Sequence, residues 1–326
     1  MDKKALRIVY MGTPDFAVES LRALVEGGYE VVGVVTAPDK PVGRHGSVLQ
    51  ASPVKQYACR QGLRILQPER LKDATFLAAL RALQADLQIV VAFRMLPEAV
   101  WNMPRFGTFN LHASLLPQYR GAAPIHWAII RGEKETGVTT FFLTHEIDAG
   151  QIIRQRRIPV AKTDDAGVVH DKLMTLGATL VIETVDLLLA GNGRVDAIPQ
   201  EGVLPSEIEL RPAPKIFKET CRIDWHQPAD TIYDFIRGLA PSPAAWTEWL
   251  TPDDAETLSI KIFQAEIRRE AHTLPVGTVC SNGTTYLDVA VKDGFLQLLS
   301  VQLAGKKRLS VRDFLNGVKQ PAVSVR

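Results

Sequence analysis

Cysteine is scarce in this chain of 326 residues. Only Cys59, Cys221 and Cys280 occur, and no short interval separates any two of them. Three scattered thiols cannot form a disulfide framework or a Cys-x-x-Cys metal site. A reducing compartment is the simplest environment for such a composition, so we expect a cytoplasmic protein.

A strong net charge is also absent. Lysine and arginine number 38 against 36 aspartate and glutamate residues, which gives a formal net charge of +2. The charge of the whole chain therefore neither requires nor excludes a nucleic-acid partner. The start, MDKKALRIVYMG, is basic but has only a short apolar run, which predicts a first strand and not a signal peptide. We find no apolar stretch of the length that a membrane span needs, so no membrane association is expected.

Two common site motifs are incomplete or missing. The stretch MGTPDFA places a glycine after the first strand but lacks the second and third glycines of Gly-x-Gly-x-x-Gly, which weakens any dinucleotide-binding interpretation. His126 and His145 have no ligand partners at the intervals that zinc sites use. The sequence therefore predicts no metal site.

Apolar strands alternate with amphipathic helices from residue 6 to about residue 190. Strands are predicted at 6–12, 30–37 and 86–93, followed by a strand that leads to Asn110. A long helix is predicted over 165–190. Strand–helix–strand units with β-branched runs favour an α/β fold with a mostly parallel, Rossmann-like sheet.

The pattern changes after this helix. Residues 194–217 hold Pro199, Pro205, Pro212 and Pro214 and lack a period, which indicates a linker. Beyond them, short strand-like runs are separated by turn signals such as Asn282-Gly283 and Asp293-Gly294. We therefore predict three parts: a catalytic domain at 1–193, a linker at 194–211, and a small β-barrel domain at 212–326.

The stretch NLHASLLPQYRG carries the strongest candidate site. A strand has period two, so Asn110 and His112 lie on the same side of their strand, at its carboxyl end. Ligands bind at that edge in open α/β sheets. Asp148, in THEIDAGQII after the next long strand, is the natural third member. A turn residue without a catalytic role is the alternative for Asp148.

Two basic stretches are candidates for a nucleic-acid contact. The loop at 36–52 contains PDKPVGRHGSVL, with Lys40, Arg44 and His45, and long loops in compact domains are often functional. AGKKRLS at 304–310 groups three more cations. Either stretch could equally be a solvated surface.

Several motifs together resemble the folate-dependent formyltransferases. They are FNLHASLLPQYRGAAPIHWAI and GVTTFFLTHEIDAGQII, with GTPDFA, PDKPVGR, SPVK, RIDW and AGKK, and they run from residue 7 to about 315. The resemblance is greatest to the branch of the family that acts on initiator methionyl-tRNA. It implies a Rossmann-like domain followed by an OB-like barrel, 10-formyltetrahydrofolate as co-substrate, no metal, and a monomer.

The resemblance also implies roles for individual residues. Asn110, His112 and Asp148 would be catalytic. The folate site would be lined by two segments, and the tRNA contacts would come from basic residues in both halves. The implied folate-site residues are Phe93, Arg94, Met95, Leu96, Ser114, Leu115, Leu116 and Pro117, and the implied tRNA contacts are Lys40, Arg44, His45, Lys215, Lys218, Lys306, Lys307 and Arg308. AFRMLP departs from the family pattern, so Arg94 either contacts the pterin or reshapes the loop.

Three other functions share parts of this pattern. A formyltransferase for an amino sugar nucleotide shares the three polar residues and a similar second domain, and a 10-formyltetrahydrofolate hydrolase would use water in place of the amine. A catalytically silent RNA-binding protein could use the same scaffold. The basic loop with Lys40 and Arg44 argues against the first, and the intact Asn110, His112 and Asp148 argue against the last.

Overall fold

A computed structural model describes residues 2–42, 48–205, 208–250, 257–317 and 324–325. The chain forms two compact units. Unit 1 consists of 1–121, 136–158 and 170–212, and unit 2 consists of 122–135, 159–169 and 213–326. Segments 122–135 and 159–169 of unit 2 are thus inserted between segments of unit 1.

The described secondary structure alternates strands and helices and then becomes mainly β. The strands are β1 (Arg7–Gly12), β2 (Glu30–Val35), β3 (Lys40–Val42), β4 (Val48–Gln50), β5 (Ile65–Leu66), β6 (Leu87–Val91), β7 (Thr108–His112), β8 (Glu135–Phe142), β9 (Ile152–Pro159), β10 (Ala245–Leu250), β11 (Thr257–Arg268), β12 (Val279–Ser281), β13 (Leu287–Val291), β14 (Gly294–Leu303), β15 (Leu309–Ser310) and β16 (Ser324–Val325). The helices are α1 (Val18–Glu26), α2 (Pro53–Arg60), α3 (Ala74–Arg81), α4 (Glu98–Trp101), α5 (Pro124–Ile130), α6 (Ala166–Ala190), α7 (Ala229–Leu239) and α8 (Val311–Gly317).

Unit 1 is built on a seven-stranded sheet in the order β5-β2-β1-β6-β7-β8-β9. The pairs from β5 through β7 are parallel, and β8 runs antiparallel to β7. β6 is buried along its whole length, as expected for a strand with both sheet faces covered. This arrangement confirms the predicted α/β class with a mostly parallel, Rossmann-like sheet.

The long helix α6 corrects one expectation. By length and composition alone it could cross a membrane, so the prediction that no stretch reaches that length is wrong. Half of its most apolar window is buried, however. A Cβ on Gly177 would lie 2.6 Å from a methyl of Leu111, and Thr184 bonds Thr140 at 2.8 Å. In unit 1 the helix therefore packs directly on β7 and β8, as a core helix does.

Unit 2 is organised around an antiparallel sheet in the order β12-β13-β14-β11-β10-β16, with β15 beside β14. An antiparallel bridge between Thr278 and Ser324 joins the two ends of this order, so the sheet forms a nearly closed barrel. Its interior is filled by apolar side chains that include Trp249, Ile262 and Leu298. The predicted small β-barrel is confirmed, although the sequence analysis did not predict β10 as a strand.

The loop predicted at 36–52 contains regular structure. β3 and β4 pair as an antiparallel hairpin, with Lys40 opposite Gln50. At its base, Asp39 accepts a 2.6 Å bond from the Lys55 ammonium and a 2.8 Å bond from the Gln67 amide. These two donors hold the pKa of the Asp39 carboxyl below its usual value. Arg44 and His45 lie outside the described residues.

Candidate active site at the end of strand β7

Asn110 and His112 stand two residues apart on β7, on one face of the sheet of unit 1. Asn110 pairs in register with Val90 on one side and with Phe141 on the other. Its side chain is half-buried, and within the residues that the structure describes the amide makes no hydrogen bond. The carboxamide hydrogens at this strand end are therefore available to a ligand.

His112 is buried and has a fixed orientation. Its Nε2 lies 2.8 Å from the backbone carbonyl of Tyr119. A carbonyl can only accept a hydrogen bond, so Nε2 carries a hydrogen. Nδ1 is then the ring atom that can gain or lose a proton, and it lies 3.8 Å from Oδ2 of Asp148.

Asp148 reaches His112 by a path that the sequence does not reveal. Because β8 is antiparallel to β7, β8 ends beside Phe109, three residues before His112. The segment after β8 therefore has to fold back. Asp148 adopts a left-handed backbone with φ of 53°, a conformation that aspartate and asparagine tolerate better than most residues. A Cβ on Gly150 would lie 1.7 Å from the carbonyl oxygen of Phe142, so this turn requires glycine.

Three residues that the sequence analysis missed hold Asp148 in place. The Gly121 amide donates to Asp148 Oδ2 at 2.9 Å. Gln200 is buried, and its Nε2 donates to the carbonyls of Asp148 and Gly150 at 2.8 and 2.7 Å. Arg120 donates in turn to Gln200 Oε1 at 2.6 Å. Gln200 lies in the stretch taken for a linker, and no local pattern indicates its role.

The predicted folate wall at 114–117 is fixed by Thr139. The Thr139 hydroxyl donates to the Ser114 carbonyl at 2.7 Å and accepts from the Leu116 amide at 3.2 Å. Gln155 adds bonds to Thr139 and to the Leu116 carbonyl. The Ser114 hydroxyl is itself buried and donates to the Gln118 carbonyl at 2.7 Å. This loop therefore offers a ligand an apolar surface that includes the half-exposed Leu115. The Ser114 hydroxyl is not free to bind a ligand. The two threonines in GVTTFF, polar residues in a buried strand, were the available sequence signal.

The second predicted folate segment, 93–96, leaves the sheet at the same edge. β6 pairs with β7 in parallel, with Val91 opposite Leu111, so the chain after Val91 starts next to His112. Arg94, Met95 and Leu96 line a groove of about 710 Å³, together with Lys72 and residues of α3 and α4. The Arg94 guanidinium bonds the backbone carbonyls of Pro68 and Glu69 and lies over the half-buried Phe93 ring.

The predicted RNA-contacting cations that the structure describes are exposed. Lys40 lies at the start of β3. Lys215 and Lys218 precede the barrel strands of unit 2, and Lys306 and Lys307 lie in the turn between β14 and β15. Arg308 differs, because its Nε donates to Ser300 and its guanidinium lies 4.4 Å from the Phe263 ring centre.

The chemistry available at the end of β7 follows from these contacts. Within the described parts of the chain, an amide donor without a hydrogen-bond partner stands beside a buried imidazole whose Nδ1 faces a carboxylate. Such a set can stabilise an oxyanion while moving a proton at the same centre. Among the described residues, no three histidine, cysteine, aspartate or glutamate side chains are grouped to hold a metal ion.

Known proteins share both the sequence and the fold. Residues 6–185 match the family model described as formyl transferase, and residues 215–319 match its C-terminal domain. Methionyl-tRNA formyltransferase of Parabacteroides distasonis is 70% identical over 322 residues, which cover 99% of this chain and 98% of that protein. The protein of the same name from Bacteroides thetaiotaomicron is 65% identical over 319 residues, covering 98% of each chain.

A solved structure of WlaRD, a sugar 3N-formyl transferase in the presence of dTDP and 5-N-formyl-THF, is similar in fold. Its TM-score is 0.63 at 18% identity, and the match covers 93% of this chain and 99% of that one. At this identity the likeness concerns the fold alone.

Proposed function

The chain belongs to the formyl transferase family, and on that premise we propose that it formylates the methionine of initiator tRNA for the start of protein synthesis. The formyl donor is 10-formyltetrahydrofolate, and the acceptor is the α-amino group of the esterified methionine. The observation that supports this reaction best is the unpartnered Asn110 amide beside the His112–Asp148 pair. The acceptor is proposed from the 70% identity, over nearly the whole of both chains, to a methionyl-tRNA formyltransferase.

Asn110 has the role of oxyanion donor in this proposal. When the amine attacks the formyl carbon, the carbonyl oxygen gains negative charge. An amide hydrogen that is already positioned and has no competing partner stabilises that charge without reorganisation. The backbone of β7 holds Asn110 between two neighbouring strands, so the donor has a fixed position.

His112 and Asp148 carry out the proton transfers in this proposal. The attacking amine loses a proton, and the folate nitrogen gains one as the C–N bond breaks. Nε2 is committed to Tyr119, so Nδ1 is the atom that exchanges the proton. The Asp148 carboxylate, 3.8 Å away, stabilises the imidazolium that forms.

The surrounding residues bind the two substrates. We assign the folate site to the wall at 114–117 and to the segment Phe93–Leu96, with Arg94 bracing that segment through Pro68 and Glu69. Phosphates of the tRNA are assigned to Lys40, Arg44, His45, Lys215, Lys218, Lys306, Lys307 and Arg308. We further propose a cytoplasmic monomer without membrane association, since the reaction needs no second copy of the site.

Sugar formyltransfer and folate hydrolysis are less well supported. The fold does not distinguish sugar formyl transfer from tRNA formylation, because a sugar formyl transferase has a similar fold. The 70% and 65% identity to methionyl-tRNA formyltransferases, over nearly the whole of each chain, favours the tRNA acceptor. Hydrolysis would need water to replace the amine as nucleophile, and the relatives that are 70% and 65% identical are methionyl-tRNA formyltransferases.

The test is a product assay with 10-formyltetrahydrofolate and three acceptors: initiator Met-tRNA, elongator Met-tRNA and an amino sugar nucleotide. We expect formylmethionyl-tRNA from the initiator species at the highest kcat/KM. Formylation of the sugar nucleotide with no formylation of either tRNA, or release of formate alone, would contradict the proposal.

A further inference from the structure

Residues 213–222, called the strap here, form an exposed segment of unit 2 that is held by its backbone. Its ends are fixed by the buried residues Ala213 and Cys221. Between them, the indole of Trp127 donates to the Pro214 carbonyl, and the indole of Trp246 donates to the Lys218 carbonyl, both at 2.7 Å. These two anchoring bonds use backbone carbonyl groups and therefore occupy no side chain of the strap.

Side chains on the strap alternate between the core and the surface. Ile216 packs against the apolar core of unit 2, whereas its neighbours Lys215 and Phe217 point outward. Phe217 is 56% exposed, although both indole bonds hold the backbone of its segment. The Lys215 ammonium lies 5.3 Å from the centre of that ring.

A second group of cation and aromatic side chains continues the surface. Lys218 and Arg222 lie 5.8 and 5.6 Å from the ring centre of Trp246. Arg222 is paired with Glu248 at 2.9 Å. In the part of the chain that the structure describes, neither Lys215 nor Lys218 has a carboxylate partner. Among the described residues, two ammonium groups without a carboxylate partner thus lie next to exposed rings, that of Lys215 at Phe217 and that of Lys218 at Trp246.

We propose that Phe217 is a stacking platform for an unpaired base of the RNA substrate, with Lys215 and Lys218 holding the adjacent phosphates. Exposed rings between basic side chains are the arrangement that binds single-stranded RNA, because each base offers a π face and each nucleotide a negative charge. The acceptor proposed above is an RNA, which supplies both the base for the ring and the phosphates for the ammonium groups. The proposal rests on the proposed function, in that it names the contact through which the tRNA is held.

Direct tRNA binding separates this proposal from the proposed function. The dissociation constant of initiator Met-tRNA is measured for the full chain and for Phe217→Ala, Phe217→Leu and Phe217→Trp. Loss of a base stack is expected to weaken binding roughly 5- to 100-fold in the Ala and Leu variants. The Trp variant should bind like the unmodified protein. Tyr286→Ala, which removes an exposed aromatic elsewhere in unit 2, is the matched control and should change nothing.

Competition identifies the feature of RNA that is bound. A short single-stranded oligoribonucleotide should compete with tRNA for the unmodified protein and lose that ability against Phe217→Ala, whereas a blunt RNA duplex should be indifferent to the substitution. Equal tRNA affinity of Phe217→Ala and the unmodified protein would overturn the stacking proposal, as would wild-type affinity in Phe217→Leu. Failure of the unmodified protein to formylate Met-tRNA would instead overturn the proposed function, and the binding ratios would still decide the role of Phe217.

Discussion

Polar side chains are held in opposite ways at the end of β7 and on the strap. At the end of β7, His112 and Asp148 are nearly buried and bonded to fixed partners, and only the Asn110 amide is left without one among the described residues. On the strap, the backbone is bonded while Lys215 and Lys218 are exposed and without carboxylate partners in the described structure. The first arrangement fixes atoms for chemistry. Under the proposal made above, the second holds RNA through one base and its phosphates. Substitutions in the two regions should therefore have different kinetic effects.

The largest effect is expected from Asn110→Ala. It removes the donor assigned to the oxyanion while leaving both flanking strands intact. Loss of one such donor typically lowers kcat by about 100- to 1,000-fold. Steady-state kinetics should show this loss with the KM for tRNA nearly unchanged. A variant whose defect lay in tRNA affinity would place Asn110 in binding instead of catalysis.

Asp148→Asn and His112→Ala are expected to lower kcat at least ~100-fold, which is the usual scale for a positioned acid–base group. Asparagine is the better replacement at position 148, because it tolerates the φ of 53° and can still accept from the Gly121 amide. The turn should survive and only the charge should be lost. Near-normal turnover in both variants would remove the pair from the mechanism.

Thr139→Val should reduce both stability and the use of folate. The hydroxyl that it removes has three partners in the wall at 114–117 and at Gln155, and the position is fully buried. Unsatisfied groups of this kind cost about 1–3 kcal/mol of unfolding free energy. A displaced wall should lower kcat/KM for 10-formyltetrahydrofolate by roughly 10- to 100-fold.

Thr140→Val is the matched control for that prediction. Thr140 is equally buried on the same strand, but its hydroxyl bonds Thr184 of α6 on the other face of the sheet. Both variants should have a lower Tm in thermal unfolding, whereas only Thr139→Val should have a lower kcat/KM for 10-formyltetrahydrofolate. Equal kinetic defects would mean that β8 acts through general stability.

On the strap, Lys215→Ala and Lys218→Ala should each reduce the salt dependence of tRNA binding. For contacts to single strands, each phosphate contact contributes about 0.7 to the slope of log K against log salt. The measurement is a titration at several salt concentrations, with Lys292→Ala as an exposed control in the same unit. An unchanged slope for both strap variants would exclude phosphate contacts there.

The smallest effect is expected at the base of the hairpin formed by β3 and β4. There the Asp39 carboxylate accepts hydrogen bonds from Lys55 and Gln67. Lys55 and Gln67 lower the pKa of Asp39. The stability that this pairing contributes is therefore present above the ordinary carboxyl pKa of about 3.9 and is lost as the pH falls through the lowered value. Asp39→Asn should lower Tm slightly at pH 7, and the difference in Tm should shrink as the pH falls below about 3.9. A constant Tm difference across this range would contradict the assignment.

The sequence predicted well the features that depend on periodicity. The parallel sheet, the barrel of unit 2 and the shared face of Asn110 and His112 follow from alternation along single strands, which is a local property. The resemblance to a known family then supplied Asp148. Local pattern alone left that residue between a turn and a third site member, because β8 is antiparallel and the connection folds back by a path that spacing does not encode.

What the sequence did not predict depends on contacts between distant segments. Gln200 holds the Asp148 turn from a stretch that has no period, and the Tyr119 carbonyl fixes the tautomer of His112 through a backbone atom that carries no sequence signal. The exposure of Phe217 depends on two indole donors from α5 and β10. β10 itself was missed in a stretch that begins with Pro241 and Pro243, residues that argue against a strand.

A single-turnover formylation assay on initiator Met-tRNA, repeated across salt concentrations, tests the separation of the two regions most directly. With both substrates saturating, Asp148→Asn should lower the rate at least ~100-fold and leave the salt dependence of tRNA binding unchanged. Lys215→Ala should keep the saturating rate and reduce that salt dependence. A normal saturating rate in Asp148→Asn, or an equally low one in Lys215→Ala, would contradict the account.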